Sequence, residues 1–213
     1  MIIKKALFAL ASLAILSACM GDRKTIVGED LSDTSFVNKN FKANAINYTE
    51  GMSACSELSA DEIAQIYQVS VSAVIIDDPL TNPQRRATST PLCSFYIKAG
   101  ADDYQWLRGS ISVEREIGKD EFMGDVAEAT GSGTDWKEAW KLKQSMYEST
   151  EWVPNLGMAA LWHGQQNTLE IKFEGYTLKV HPLMNKSNPQ EVALNRDYKA
   201  AAIAMAKSAG FLN

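Results

Sequence analysis

Residues 168–181 constrain this chain more than any other stretch. Leu169, Ile171 and Phe173 alternate with Glu170 and Lys172; after Glu174-Gly175, Tyr176, Leu178 and Val180 alternate with Thr177 and Lys179. A period of two sends successive side chains to opposite faces of a strand, and a two-residue turn with glycine folds two such strands into a hairpin. That turn pairs Phe173 with Tyr176, Ile171 with Leu178 and Leu169 with Val180, all six on one face. A two-stranded ribbon is not stable alone, so this apolar face needs a cover. The expected cover is one closing helix. Asn188 caps it, Pro189 takes its first position, Glu191 its third, and Gly210 ends it. Leu194, Tyr198, Ala201 and Met205 form its apolar stripe.

Upstream, Leu58-Ser59-Ala60-Asp61-Glu62-Ile63 reads as a helix start. Ser59 and Glu62 form a capping box, Leu58 and Ile63 a hydrophobic staple, and the helix runs to about Tyr67. The β-branched run 69–76 reads as a strand, with helix open for its first half. Residues 77–91, with three prolines and the pair Arg85-Arg86, form a long loop. Strands are expected at 92–98 and 106–114, the second with Leu107, Ile111 and Val113 on one face. A short helix is expected over 120–129, stopped by Gly131-Ser132-Gly133. Asp135 and Glu138 then repeat the capping pattern ahead of a helix to about Tyr147. Helices packed on an antiparallel sheet make the fold class α+β.

The first eighteen residues are an address. Lys4 and Lys5 precede an apolar run, 6–16, about half the length needed to cross a bilayer core of roughly 30 Å. Leu16-Ser17-Ala18-Cys19 then resembles the bacterial lipobox. That resemblance implies cleavage of the signal peptide 1–18, acylation (palmitate) of Cys19, and a lipoprotein held at the membrane. Met20, in place of Asp, implies the outer membrane, facing the periplasm, if the host has one. Residues 19–49 are polar and read as a lipidated N-terminus and flexible tether, with Phe36, Val37 and Phe41 as a short strand docked on the body. Residues 50–213 form the single domain. Without the two lysines of residues 1–18 the 21 basic residues become 19 against 26 acidic, a net charge of −7. Such a surface does not attract anionic headgroups, and it excludes a general nucleic-acid binder.

Besides Cys19 the chain has two cysteines, Cys55 and Cys93. In an oxidising compartment an even pair usually becomes a disulfide, and chain entropy gives such a loop about 4 kcal/mol. Two separate buried thiols are the alternative.

Three segments resemble a family of uncharacterised bacterial lipoproteins with a PsbP-like domain: Cys55-Ser56-Glu57-Leu58-Ser59 with Glu62-Ile63, then Cys93-Ser94-Phe95, then Val153 to Trp162 with its Leu156-Gly157 and Ala159-Ala160. The resemblance covers roughly residues 53–209. It implies an exported antiparallel β-sheet packed between helices (an α/β/α sandwich) with a cysteine pair at Cys55 and Cys93. Met158 departs from the acid common in that family after Leu-Gly, which weakens any polar role there. The family carries no catalytic residues to transfer. Read physically, Gly157 permits a tight turn, while Ala159, Ala160 and Trp162 fill the core.

Nucleophile, metal and phosphate motifs do not stand out, and the two histidines, His163 and His181, are eighteen positions apart. No cofactor is implied. The aromatic helix is the functional lead: Trp136 and Trp140, interleaved with Lys137 and Lys141, present either a cation-rimmed patch to a partner or a core face with solvated lysines. The leading expectation is a non-enzymatic, lipid-anchored binding or accessory module with an envelope protein partner. An envelope inhibitor or immunity lipoprotein neutralising a toxin or hydrolase is the alternative, with an enzyme or small-molecule carrier third.

Overall fold

The hairpin forms in the expected register. In a computed structural model, strands Thr168–Phe173 and Tyr176–Met184 pair Phe173 with Tyr176, Ile171 with Leu178 and Leu169 with Val180. The structure describes residues 31–49, 52–55, 57–81, 92–118, 120–130 and 136–212. Within them lie helix α1 (Ala60–Tyr67), strands β1 (Val74–Asp77), β2 (Leu92–Ile97) and β3 (Leu107–Arg115), helices α2 (Gly124–Thr130) and α3 (Lys137–Ser145), strands β4 (Thr150–Trp152), β5 (Ala159–His163), β6 (Thr168–Phe173) and β7 (Tyr176–Met184), and helices α4 (Pro189–Ala193) and α5 (Tyr198–Ser208). The strands form one open antiparallel sheet in the order β1-β2-β3-β7-β6-β5-β4. Two meanders therefore meet where β3 pairs with β7. The fold is α+β.

Helices α1 and α5 cover one face. Ile63, Tyr67, Ala202, Met205 and Ala206 meet Phe95, Ile111, Ile171, Phe173, Leu178 and Val180 in the main core. The start of α1 is built as its sequence implies. Glu62 N–H donates to the Ser59 hydroxyl, the Glu62 carboxylate accepts from Ser59 N–H, and Leu58 and Ile63 are both buried. Cys55 and Cys93 are joined by a disulfide, their Cα atoms 5.3 Å apart, which staples the approach to α1 onto β2.

At four places the structure decides what the sequence left open, or departs from it. The run from Val69 becomes strand only at Val74, because Val71–Ala73 forms a 3-10 turn. The closing helix is two helices. Asn188 caps the first, accepting from Gln190 and Glu191 N–H, but the chain turns at Asn195 (φ 43°) and Asp197 caps the second by accepting from Ala200 N–H. Leu194, expected in the stripe, is instead 61% exposed. Strands β4 and β5 were not anticipated. All five β5 residues are buried, so its sequence shows no alternation. Gly157 does make the expected turn, at φ 51°, where an added Cβ would collide with the Lys172 carbonyl oxygen.

Residues 31–49, read as part of a tether, lie against the domain without forming a strand. Phe36 stacks on Trp152 with ring centroids 3.9 Å apart. The Asn38 N–H donates to the Met158 carbonyl at 2.8 Å and its side-chain amide to the Gly157 carbonyl at 2.8 Å. Asn44 exchanges two hydrogen bonds with the Glu174 backbone, and Tyr176 Oη donates to the Ile46 carbonyl.

Reduction of the Cys55–Cys93 bridge is expected to lower unfolding stability by about 2–4 kcal/mol. Urea denaturation with and without reductant measures this, and an unchanged midpoint would contradict it.

Candidate functional site

The aromatic lead from the sequence lies in a second, smaller core. Trp136 is 3% exposed and Trp140 0%, packed with Ala159 and Leu161 on the sheet face opposite α1 and α5. Phe36, Val37, Trp152 and Met158 complete the cluster. Neither ring faces a partner, so the patch reading is corrected. The physical reason is the outer face of β5: Ala159 and Leu161 point out of the sheet there and need a cover. Lys137 is exposed, and Lys141 Nζ sits 3.8 Å from Asp33 Oδ2. Asp135, expected to cap this helix, lies outside the described residues. Trp136 stands at the cap position without a side-chain bond. Cys19, Arg85-Arg86 and Gly131-Ser132-Gly133 also lie outside the described residues.

The same cover buries charges that the alternation pattern assigns to solvent. Lys172 is fully buried; its Nζ bonds to Glu116 and to the Phe173 carbonyl, and lies 5.9 Å from the Trp136 ring. Lys143 Nζ bonds Glu170 at 2.8 Å and sits 5.5 Å from the Trp140 ring. Burial pushes the Lys172 ammonium below its ordinary range, with Glu116 opposing. Burial pushes the Glu170 carboxyl up, but Lys143, Lys179 and His163 outweigh it and hold it below the ordinary value.

Both histidines belong to this face. His163 Nδ1 is 3.4 Å from Thr150 Oγ1, and its buried Nε2 lies 3.6 Å from Glu170 Oε1, too far for a hydrogen bond. His181 Nδ1 is 3.0 Å from Thr168 Oγ1. Burial lowers both imidazoles; Glu170 opposes, while Lys179 adds to the lowering. This seam fastens α3 to the sheet, and its charges are matched within it.

The more open feature is a cleft of about 400 Å³ between the end of α1, the β2–β3 hairpin and α4. Its wall is apolar: Tyr67, Val69, Ile97, Ala99 and Leu107, with Leu194 at the lip. Asn188 sets its geometry. While its Oδ1 caps α4, its Nδ2 donates to the Gln105 carbonyl at 2.8 Å and the Ala99 carbonyl at 3.4 Å, pinning α4 to the hairpin. At the far end Glu191, 4% exposed, accepts from Arg196 Nε at 3.0 Å and Tyr198 Oη at 3.1 Å. The Arg196 guanidinium lies 4.7 Å from the Tyr67 ring centroid. Burial and the neighbouring Glu191 carboxylate push the Tyr198 phenol up to about 12. Because Glu191 and Arg196 neutralise each other, the cleft offers apolar contact and hydrogen-bonding edges rather than net charge.

Sequence reasoning did not single out this cleft. The sequence marks Asn188 as a cap, which it is, and Glu191 as a capping residue. The signal that could have revealed the cleft was Asn195-Arg196-Asp197, which offers a left-handed turn and a second helix cap. Among the described residues, no group of three or more His, Cys, Asp or Glu side chains is placed to hold a metal ion. No protein-family model, curated protein or solved structure matches the chain.

Two outcomes are expected. Arg196→Met strands the buried Glu191 carboxylate and should cost about 3–5 kcal/mol, whereas Glu191→Leu with Arg196→Met should recover much of it; denaturant titration of the variants compares them. For the histidines, the folded values lie below the ordinary 6.5, so the unfolded chain binds protons first as pH falls through 6.5. Stability present above 6.5 should therefore be lost below it, and His163→Asn should flatten that loss in denaturation curves taken at pH 7.5 and 5.5.

Proposed function

We propose that this chain is a lipid-anchored lipoprotein of the cell envelope that works as a non-enzymatic binding or accessory module. It engages a partner protein through the cleft between α1, the β2–β3 hairpin and α4. The observation that carries this reading is the cleft itself: an apolar wall and an exposed leucine lip, held rigid by Asn188 and closed at one end by the Glu191–Arg196–Tyr198 cluster. Interfaces draw their energy from apolar anchors seated in such preformed recesses. The lipobox-like Leu16-Ser17-Ala18-Cys19 supports the anchor and the envelope location. The Cys55–Cys93 disulfide agrees with an oxidising compartment.

A photo-crosslinking residue at position 194 in living cells tests the cleft, with position 207 on α5 as control. A discrete adduct from 194 and none from 207 is expected; equal or absent crosslinking at both would remove the reading. Separately, Cys19→Ser should release the protein from the membrane fraction, and continued sedimentation with membranes would remove the anchor.

A further inference from the structure

On the opposite side of the sheet from the cleft's helices, the chain between β3 and α3 carries an apolar tip that stands exposed among the described residues. Phe122 is 92% exposed, and Met123 and Val126 are about half exposed, all within a few residues on the turn into α2. Exposed residues of this kind, adjacent and held in place, mark an interaction surface. They are held in place here. The Arg115 guanidinium grips Glu121 with two bonds of 3.0 Å, Gly118 N–H donates to the same carboxylate, and Gly124 N–H donates to the Glu121 carbonyl. The turn is thus clamped to the end of β3 with Phe122 at its outer point.

What faces this tip follows from where the chain leads. Helix α2 is only about 10 Å long. It packs on α3, and residues 131–136 join the two. The described chain begins at Leu31, and Leu31 and Ser32 lie beside Lys137 and Glu138 at the start of α3. Asp33 is held there by Lys141. Leu31, the first described residue, therefore lies at the end of α3 to which α2 connects. From Leu31 to Cys19 is twelve residues, which span at most about 40 Å. Acyl chains on Cys19 would keep this end of the domain within that distance of a bilayer, where even weak contacts are favoured by the high effective concentration. Asp120 and Asp125 flank the tip, so anionic lipid is not the attraction. Aromatic and apolar side chains at the headgroup boundary are.

We infer that Phe122, Met123 and Val126 insert into the interface of a phospholipid bilayer, a second contact that orients the domain anchored through Cys19. The inference rests on the lipoprotein reading. The test uses the full chain with Asp120→Cys carrying an environment-sensitive fluorophore, reconstituted in phosphatidylethanolamine–phosphatidylcholine vesicles. Leu194→Cys is the control. At position 120 the emission should rise at least twofold and be quenched by nitroxide lipid. At 194 neither should occur, and Phe122→Ser with Met123→Ser should abolish the response at 120. A label at 120 as water-exposed as that at 194 overturns the inference.

The mass of the N-terminal peptide reports separately whether Cys19 is acylated. If it is not, the lipoprotein reading fails by itself, and the tip is decided on the Cys19→Ser chain titrated with millimolar lipid. There, loss of the response in the Phe122→Ser, Met123→Ser variant supports insertion, and an unresponsive label at 120 overturns it.

Discussion

The pairing of β3 with β7 is the constraint on which the rest of the molecule depends. Each meander pairs strands that are neighbours in sequence, and the β3–β7 ladder joins the two, aligning Ile111 with Val180 and Val113 with Leu178. Its register shifts between Arg108 and Ser110, and at that point Gly109 comes so close that a Cβ would lie 2.7 Å from the His181 carbonyl oxygen and 2.9 Å from the Leu183 nitrogen. The absence of a side chain at one residue thus permits the central joint of the sheet. Contacts this far apart in sequence reward folding only after a large loop-closure cost. The main core, built from residues of both meanders, offsets part of it.

The two faces solve different problems. Under α1 and α5 the alternating apolar residues of five strands make an ordinary core. Under α3 the sheet presents Ala159 and Leu161 beside Lys172, Glu170 and His163, so apolar and charged groups are buried together. Burying an unpaired charge costs several kcal/mol. Lys172 is therefore matched by Glu116, and Glu170 by Lys143, with tryptophan faces lying over both ammonium groups. Breaking the closing helix at Asn195 has a similar logic: it turns Arg196 back onto Glu191 and the Tyr67 ring, and this builds the closed end of the cleft.

Much of the fold was legible because short-range rules govern it. The Glu174-Gly175 turn dictates the β6–β7 register, the Ser59–Glu62 box dictates the start of α1, and Asn188-Pro189 dictates the start of α4. Each signal lies within a few residues of what it specifies. Strand β5 was illegible for the opposite reason: a strand covered on both faces loses its period of two, and Ala-Ala-Leu-Trp-His reads equally as buried helix. The cleft was illegible because its wall comes from α1, β2 and β3 and its floor from α4 and the segment after it.

By itself, then, the sequence determined the α+β class, the hairpin, the starts of α1 and α4, and two cysteines able to pair. Alternation, capping and turn chemistry are local and need no knowledge of neighbours. Only the tertiary structure decided which faces meet water. It buried Trp136 and Trp140, laid residues 31–49 against the domain, drew Lys172 and Glu170 inside, and left Leu194 and Phe122 outside. Periodicity shows that a strand or helix has two faces; which of them is covered depends on where distant segments pack, through contacts that no local pattern encodes.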